Sequence, residues 1–340
     1  MRGLIFCLLF FPLYSFSQTY DLIPVTTGEN TSLRGISVVS GQVAWVSGSN
    51  GHIGKTTDAG KTWEWIIPAG HEKLDFRDIE AFDADKAIVV NAGSPAYILQ
   101  TTDGGKTWTE RYKNLDSAIF LDGMGFWNEQ RGIVFGDPIN SKMQLLRTID
   151  GGISWNDISE NLQAKMGVGE AAFAASGTTI KTLGNGKVWI ATGGKVSNIY
   201  YSSNFGSTWQ IFECPILQGE NSTGPFSMDF YDDDHGIVVG GDYLKDKENE
   251  NNVLLTSNGG KTWVKPDKPV DGYRSGVIYI TEKMLIATGS SGTDVSSDGG
   301  NNWYNISSVS MNVIQKSKTG DLILLAGNKG QIYRLTITPK

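Results

Sequence analysis

A β-propeller of seven blades is the fold this sequence predicts, on two observations. First, the octapeptide Thr56-Thr57-Asp58-Ala59-Gly60-Lys61-Thr62-Trp63 recurs six times, with its Asp or Asn at 58, 103, 150, 204, 258 and 298. The steps are 45, 47, 54, 54 and 40 residues, and turn-rich repeats of roughly 40–50 residues are one four-stranded blade each. Second, the two chain ends carry complementary fractions of one more repeat.

In chain order, residues 1–17 read as an export signal. Arg2 is the positive start, Leu4 to Leu13 the apolar run, and Ser15-Phe16-Ser17 the cleavage site. The run is too short to span a bilayer, and no later segment approaches about 18 uninterrupted apolar residues. The propeller is therefore expected over 18–340 as one domain, exported to the periplasm or beyond and monomeric. Cys7 leaves with the signal, so Cys214 stands alone and no intrachain disulfide forms.

Each octapeptide is preceded by two β-rich runs joined by a polar turn. Ile36-Ser37-Val38-Val39 leads to Val43-Ala44-Trp45-Val46, and Ile79-Glu80-Ala81-Phe82 leads to Ala87-Ile88-Val89-Val90. A third strand (His52 to Thr57, Tyr97 to Thr102, Val253 to Ser257) enters the octapeptide, and a fourth leaves it at the Trp. Within the octapeptide the Asp or Asn is expected to bond the backbone ahead and fix the hairpin. Glycine supplies positive φ, and the Trp buries its ring with its N–H partnered. Asp58, Asp103, Asp150, Asn204, Asn258 and Asp298 are thus fasteners, as are Trp63, Trp108, Trp155, Trp209, Trp263 and Trp303. Asn at 204 and 258 suits a hairpin and not a catalytic acid. After Trp303 come three more strands without an octapeptide, and Thr19-Tyr20-Asp21-Leu22-Ile23-Pro24 resembles a fourth strand. The N-terminal strand is expected to complete the last blade, which gives seven and hides the sheet edges.

Charge and composition exclude several functions. Lys and Arg number 29 against 36 Asp and Glu, a net −7, which argues against nucleic acid as partner. No polybasic segment suits anionic lipid. His52, His71 and His235 are scattered without metal-ligand spacing. No Gly-x-Gly-x-x-Gly joins a strand to a helix, and no cofactor or metal is expected.

Tandem Ser/Thr-x-Asp-x-Gly-x-Thr-Trp repeats are the Asp-box, or BNR, motif. Gly48-Ser49-Asn50-Gly51-His52-Ile53 running into the first box resembles the photosystem II assembly/stability factor family of propellers, over essentially the whole mature chain. The resemblance implies a seven-bladed scaffold that binds protein partners during membrane-complex assembly, with an arginine-rich patch on one face. Aligning the inner strands puts Arg34, Arg77 and Arg274 at one equivalent point in blades 1, 2 and 6, near one side of the pore mouth. Guanidinium groups there suit a carboxylate or phosphate; the alternative is pairing with local acids such as Asp75, Asp78 or Asp271.

Sialidases also use Asp-box propellers with three arginines, so a carbohydrate-active propeller that cleaves or binds glycan is the rival reading. The Phe/Tyr-Arg-Ile-Pro element is absent: Arg34 and Arg77 are followed by Gly35 and Asp78. Candidate carboxylates are Glu170, Asp137 and Asp242, the last two in similar turns after a second strand, and sequence cannot show the pairing a glycosidase needs. Glu170 precedes Ala171 to Thr178, a small-residue run expected to form an inner strand. Two insertions stand out: Asn156 to Met166, where Asp157 or Ser159 could cap a short helix, and the polar loop Lys245 to Asn252.

Overall fold

The computed structural model describes residues 18–26 and 28–339; the expected export signal, with Cys7, lies outside the described residues. The inner strands are Leu33–Val38, Phe76–Ala81, Leu121–Phe126, Ile180–Leu183, Thr223–Phe230, Gly276–Tyr279 and Val313–Lys316. Each begins an antiparallel sheet, and the seven sheets are the seven blades. Six have four strands. Blade 5 has three, because past Trp263 only the isolated bridge Leu255–Val264 stands where an outer strand would run.

The last blade is built from both chain ends, as the sequence predicts. Gln18–Thr26 is its outermost strand, antiparallel to Ile332–Pro339 with Gln18 opposite Pro339 and Thr26 opposite Ile332. Leaving that strand out would expose an unpaired edge.

Strand alternation explains where the core sits. Successive side chains of each second strand point to opposite sheet faces, so Val46 packs towards blade 7 while neighbouring Trp45 packs towards blade 2. The result is an apolar cluster in each of the seven junctions between neighbouring blades, and an eighth, smaller one of Ala175, Phe226 and Tyr273. Polar fasteners cross the same junctions. Trp45 Nε1 donates to Asp83 O at 3.0 Å, Trp127 Nε1 to Lys187 O at 2.6 Å and Trp189 Nε1 to Gly259 O at 2.9 Å.

The six boxes share one bonding pattern. Thr56 Oγ1 donates to Asp58 Oδ1 (2.9 Å) and accepts the Gly60 N–H (3.0 Å). Asp58 then takes the Thr62 N–H on Oδ1 (2.9 Å) and the Thr62 hydroxyl on Oδ2 (2.7 Å). At Asn204 the Oδ1 contacts are kept, and Nδ2 donates to Thr208 Oγ1 at 2.9 Å. The hydroxyl rotates from donor to acceptor, which is why Asp and Asn interchange. The Trp N–H groups depart from the expectation. Trp63 and Trp303 donate to the glycine carbonyl of their own box, whereas the indole N–H groups of Trp108, Trp155, Trp209 and Trp263 are buried without a partner. Ring burial holds these boxes, not the N–H.

Both insertions pack on the ring. Ser159–Asn161 is one 3₁₀ turn whose N-cap is Ile158, with no side-chain cap. Asp157 Oδ1 instead accepts the Ser159 N–H at 2.8 Å, a turn leading in, and Leu162 and Met166 enter the blade 3–4 core. The polar loop is anchored: Asn252 is fully buried and donates to Val270 O and Gly272 O, and Asp246 O accepts the Tyr273 N–H.

Candidate functional site

Where the inner strands begin, four of them carry an extra residue. The register skips Arg34 in blade 1, Arg77 in blade 2, Asp122 in blade 3 and Phe226 in blade 5. A β-bulge leaves its residue unpaired and re-aims the side chain. All four side chains turn into one cleft of about 580 Å³ at the mouth of the ring. Ser275 and Asn312 occupy the same position in blades 6 and 7 and line the same cleft. Six blades thus present one equivalent residue each.

Blade 4 differs because its approach to the inner strand crosses the channel. Ala171 to Ala175 face the cleft, while Ser176 to Thr178 face a second cavity of about 380 Å³ on the other side. The small-residue run is therefore not an inner strand: Glu170–Ala171 pairs only with Gly193–Gly194, and the inner strand starts at Ile180. Its small side chains let it thread the channel. Gly177 has φ +68°, and a Cβ there would strike the Asp78 carboxyl. The bulged arginines hold this plug. Arg34 Nη1 donates to Ala175 O (3.0 Å) and Arg77 Nη1 to Ala174 O (3.2 Å), while Arg77 Nε pairs with Asp75 (2.8 Å). Arg34 Nε and Nη2 and Arg77 Nη2 have no protein acceptor among the described residues. Burial first, and Arg77 second, lower the Arg34 pKa. The two guanidinium groups face one cleft with donors to offer.

Acids close the blade-3 side. Asp122 is 1 % exposed, and neither of its carboxyl oxygens has a hydrogen-bond partner. Burial, then the neighbouring Asp137, raise its pKa well above the carboxylate range, against the pull of Arg77 and of the Asp137 and Ala174 N–H groups, which lie near it without completing a hydrogen bond. Asp137 also lines the cleft; its Oδ1 accepts the Ala172 N–H at 3.0 Å, and burial raises its pKa. The remaining wall is aromatic. Phe173 stacks on Phe226 at 4.1 Å, with Tyr273 and Tyr243 edge-on to Phe226.

Two other cavities carry charged side chains with partners inside the protein. In the one behind the plug, Lys318 pairs with Glu80. A cavity of about 310 Å³ between blades 3 and 4 contains Arg147, which donates to Phe205 O, and Arg131, stacked over the Phe205 ring.

A family model described as photosynthesis system II assembly factor YCF48 matches residues 71–214, from the lead-in of blade 2 to the end of blade 4. The chain is a β-propeller like that assembly factor. YCF48 bound to a D1 peptide superposes with a TM-score of 0.67 at 17 % identity, covering 95 % of this chain and 96 % of that one. YCF48 from Cyanidioschyzon merolae gives 0.67 at 17 %, covering 93 % and 98 %. The GH74 xyloglucanase from Xanthomonas campestris gives 0.59 at 15 %, covering 92 % of this chain and 53 % of that one. At these identities the structural likeness is one of fold alone. No curated protein matches the sequence.

In this assembly-factor-like propeller the predicted site residues separate into two groups. Arg34, Arg77 and Asp137 meet in the cleft. Arg274 does not: it is fully buried, with Nε and Nη2 on Asp294 Oδ2 at 3.0 and 2.6 Å and Nη1 on Tyr273 O and Ser291 Oγ. The alignment was one residue out. Gly289 packs on Arg274 as Gly136 packs on Leu121 and Gly240 on Pro225, so Ser275, not Arg274, matches Arg34. A slip of one residue sends a side chain to the other face. Glu170 is also internal, its Oε1 bonded by Thr192, Asn198 and Tyr200 and its Oε2 by the Gly167 N–H. Asp242 is buried in a turn, accepting the Leu244 N–H. Neither lines the cleft. Asp122 escaped the sequence reading although Leu121-Asp122-Gly123-Met124 repeats Leu33-Arg34-Gly35-Ile36 in pattern; the change of charge concealed it.

Proposed function

We propose that the chain is an exported, non-catalytic assembly scaffold that binds a protein partner through the plugged cleft, with Arg34 and Arg77 as the anchors. The observation that carries this is the pair of bulged arginines, side by side, with guanidinium N–H groups left over after the plug is bonded. Fixed planar donors in a protein of net charge −7 suit a carboxylate of the partner. The YCF48 structure bound to a D1 peptide supports a peptide as the class of ligand, and the aromatic wall offers it apolar contact. Export to the periplasm or cell exterior is part of the proposal and rests on residues 1–17.

The carbohydrate-active alternative retains one candidate in the cleft, Asp137, now beside Asp122. A glycosidase needs two carboxyl groups flanking the scissile bond, whereas Asp122 and Asp137 both belong to blade 3 and stand on one side of the cleft. The test is affinity capture from the native envelope with wild type and with Arg34→Ala/Arg77→Ala. Loss of one specific protein from the double variant is expected. Unchanged capture, with hydrolysis of a sialoside or glycan panel, would replace the scaffold by the enzyme.

A further inference from the structure

We propose that the blade-3 corner of the cleft, Asp122 with Asp137, is a subsite for a cation: the ammonium or guanidinium of a lysine or arginine side chain on the bound partner. The inference rests on the cleft being the partner-binding site and adds the second half of what it recognises.

The bulge ring supplies the first argument. Consecutive blades aim Arg34, Arg77 and Asp122 into one cavity, so the cleft is cationic on one side and acidic on the other. Along the plug, Asp137 bonds the Ala172 N–H, whereas Arg77 and Arg34 bond the Ala174 and Ala175 carbonyls. The two polarities are a few residues apart, on the scale of a short peptide.

The second argument is the incomplete bonding of the acids. A buried carboxyl group without a partner is destabilising, since nothing replaces its lost hydration. Asp122 has both oxygens in that condition, and Asp137 Oδ2 accepts no hydrogen bond from the described residues. The charged and titratable groups around them are Arg77 and Arg34 from blades 2 and 1, and Asp75, which is tied to Arg77. Structural acids of this protein look different. Asp294 and Glu170 are buried and bonded by several donors. A cation's N–H groups would satisfy the pair, and its methylene stem would lie along Phe120 and the Phe173–Phe226 stack. Two carboxyl groups alone are too few for a metal cage.

Proton balance follows. Burial favours the protonated form of Asp122 in the free protein, and a cation placed beside the pair favours the ionised form. The carboxyl O–H bond breaks, the proton leaves to buffer, and the carboxylate accepts an N–H.

The test uses synthetic heptapeptides carrying one glutamate for the arginines and one lysine, or its uncharged isostere norleucine, one to four residues away. Binding is measured by titration calorimetry between about pH 5 and 8 in two buffers of different ionisation enthalpy. At the matching spacing the lysine peptide is expected to bind about tenfold more tightly than the norleucine peptide, with proton release for lysine alone. Asp122→Asn and Asp137→Asn should each erase that preference, and Asp122→Asn the proton release. Equal binding of both peptides at every spacing, with affinity still dependent on glutamate and on Arg77, would overturn the cation subsite and leave the arginine reading standing. Indifference to glutamate and to Arg34→Ala/Arg77→Ala, or no binding of any peptide, would overturn both.

Discussion

Removing Arg274 should unfold this protein more readily than removing any cleft arginine, because the two kinds of arginine do different work. Arg274→Met leaves Asp294 buried without its counter-charge and takes the donor from Tyr273 O. Breaking a buried pair in this way costs about 3–5 kcal/mol. Asp294 keeps the Asp271 N–H at 2.8 Å and Asn305 Nδ2 at 3.0 Å, so the loss should fall near the lower end, ~3 kcal/mol. Arg77 is about one-third exposed and its pair with Asp75 is partly solvated, so Arg77→Met should lose no more than ~1 kcal/mol. Equilibrium urea unfolding, followed by fluorescence of the ten tryptophans, measures both. The double variant Arg274→Met/Asp294→Leu replaces the pair by apolar groups and should recover most of the loss, giving a coupling of about 2 kcal/mol or more. An Arg274→Met protein as stable as wild type, or a double variant no better than the single, would refute a structural role for Arg274.

Three further outcomes are expected. Asp122→Asn should be more stable than wild type at neutral pH and above. The folded-state pKa is raised, so the native state binds more protons and wild-type stability falls as pH rises above the unfolded value, with a slope of up to ~1.4 kcal/mol per pH unit; melting curves from pH 4 to 8 should show the gap opening as pH rises. The box acids run the other way. Their hydroxyl and N–H partners hold Asp58 and Asp103 at about 2, so their contribution is present above the unfolded carboxylate range and lost as pH falls towards 2. Asp58→Asn/Asp103→Asn should fold and flatten the acid limb of a pH–stability curve, and failure to fold at neutral pH would refute the interchange seen at Asn204. Ala59 occupies the left-handed position (φ 65°) that is glycine at 104, 151, 259 and 299. Ala59→Gly should therefore stabilise by about 0.5–1 kcal/mol in thermal or urea unfolding.

The fold was legible because the boxes and the chain ends obey local rules. An Asp or Asn two residues after a Ser or Thr, with glycine behind it, specifies its hairpin without reference to the rest of the molecule, and six such hairpins with the repeat split between the chain ends count seven blades. The cleft was legible only in part, because its residues are set by register. Arg34 and Arg77 were found by lining up inner strands, and the same alignment misplaced Arg274, since nothing local reveals which of two adjacent residues is bulged. The small residues after Glu170 have a strand's composition, yet here they cross the channel. Their course is fixed by contacts with Arg34, Arg77 and Asp78, which are distant in sequence.

Repetition itself separates scaffold from site in this molecule. The boxes join third to fourth strands, at the blade edge opposite the starts of the inner strands, and there geometry and chemistry are both repeated: Asp or Asn, hydroxyl, glycine, Trp. At the inner-strand starts the geometry is repeated and the chemistry is not. Equivalent positions carry Arg34, Arg77, Asp122, Phe226, Ser275 and Asn312. A purely structural position in a repeat protein asks the same of every copy, and neighbouring blades would answer it with similar residues, as the boxes do. Two cations, an unpartnered acid and an aromatic ring at one repeated bulge satisfy no shared packing need. In the binding role proposed above they are complementary to an asymmetric partner seated in the cleft, with negative charge near blades 1 and 2 and positive charge near blade 3.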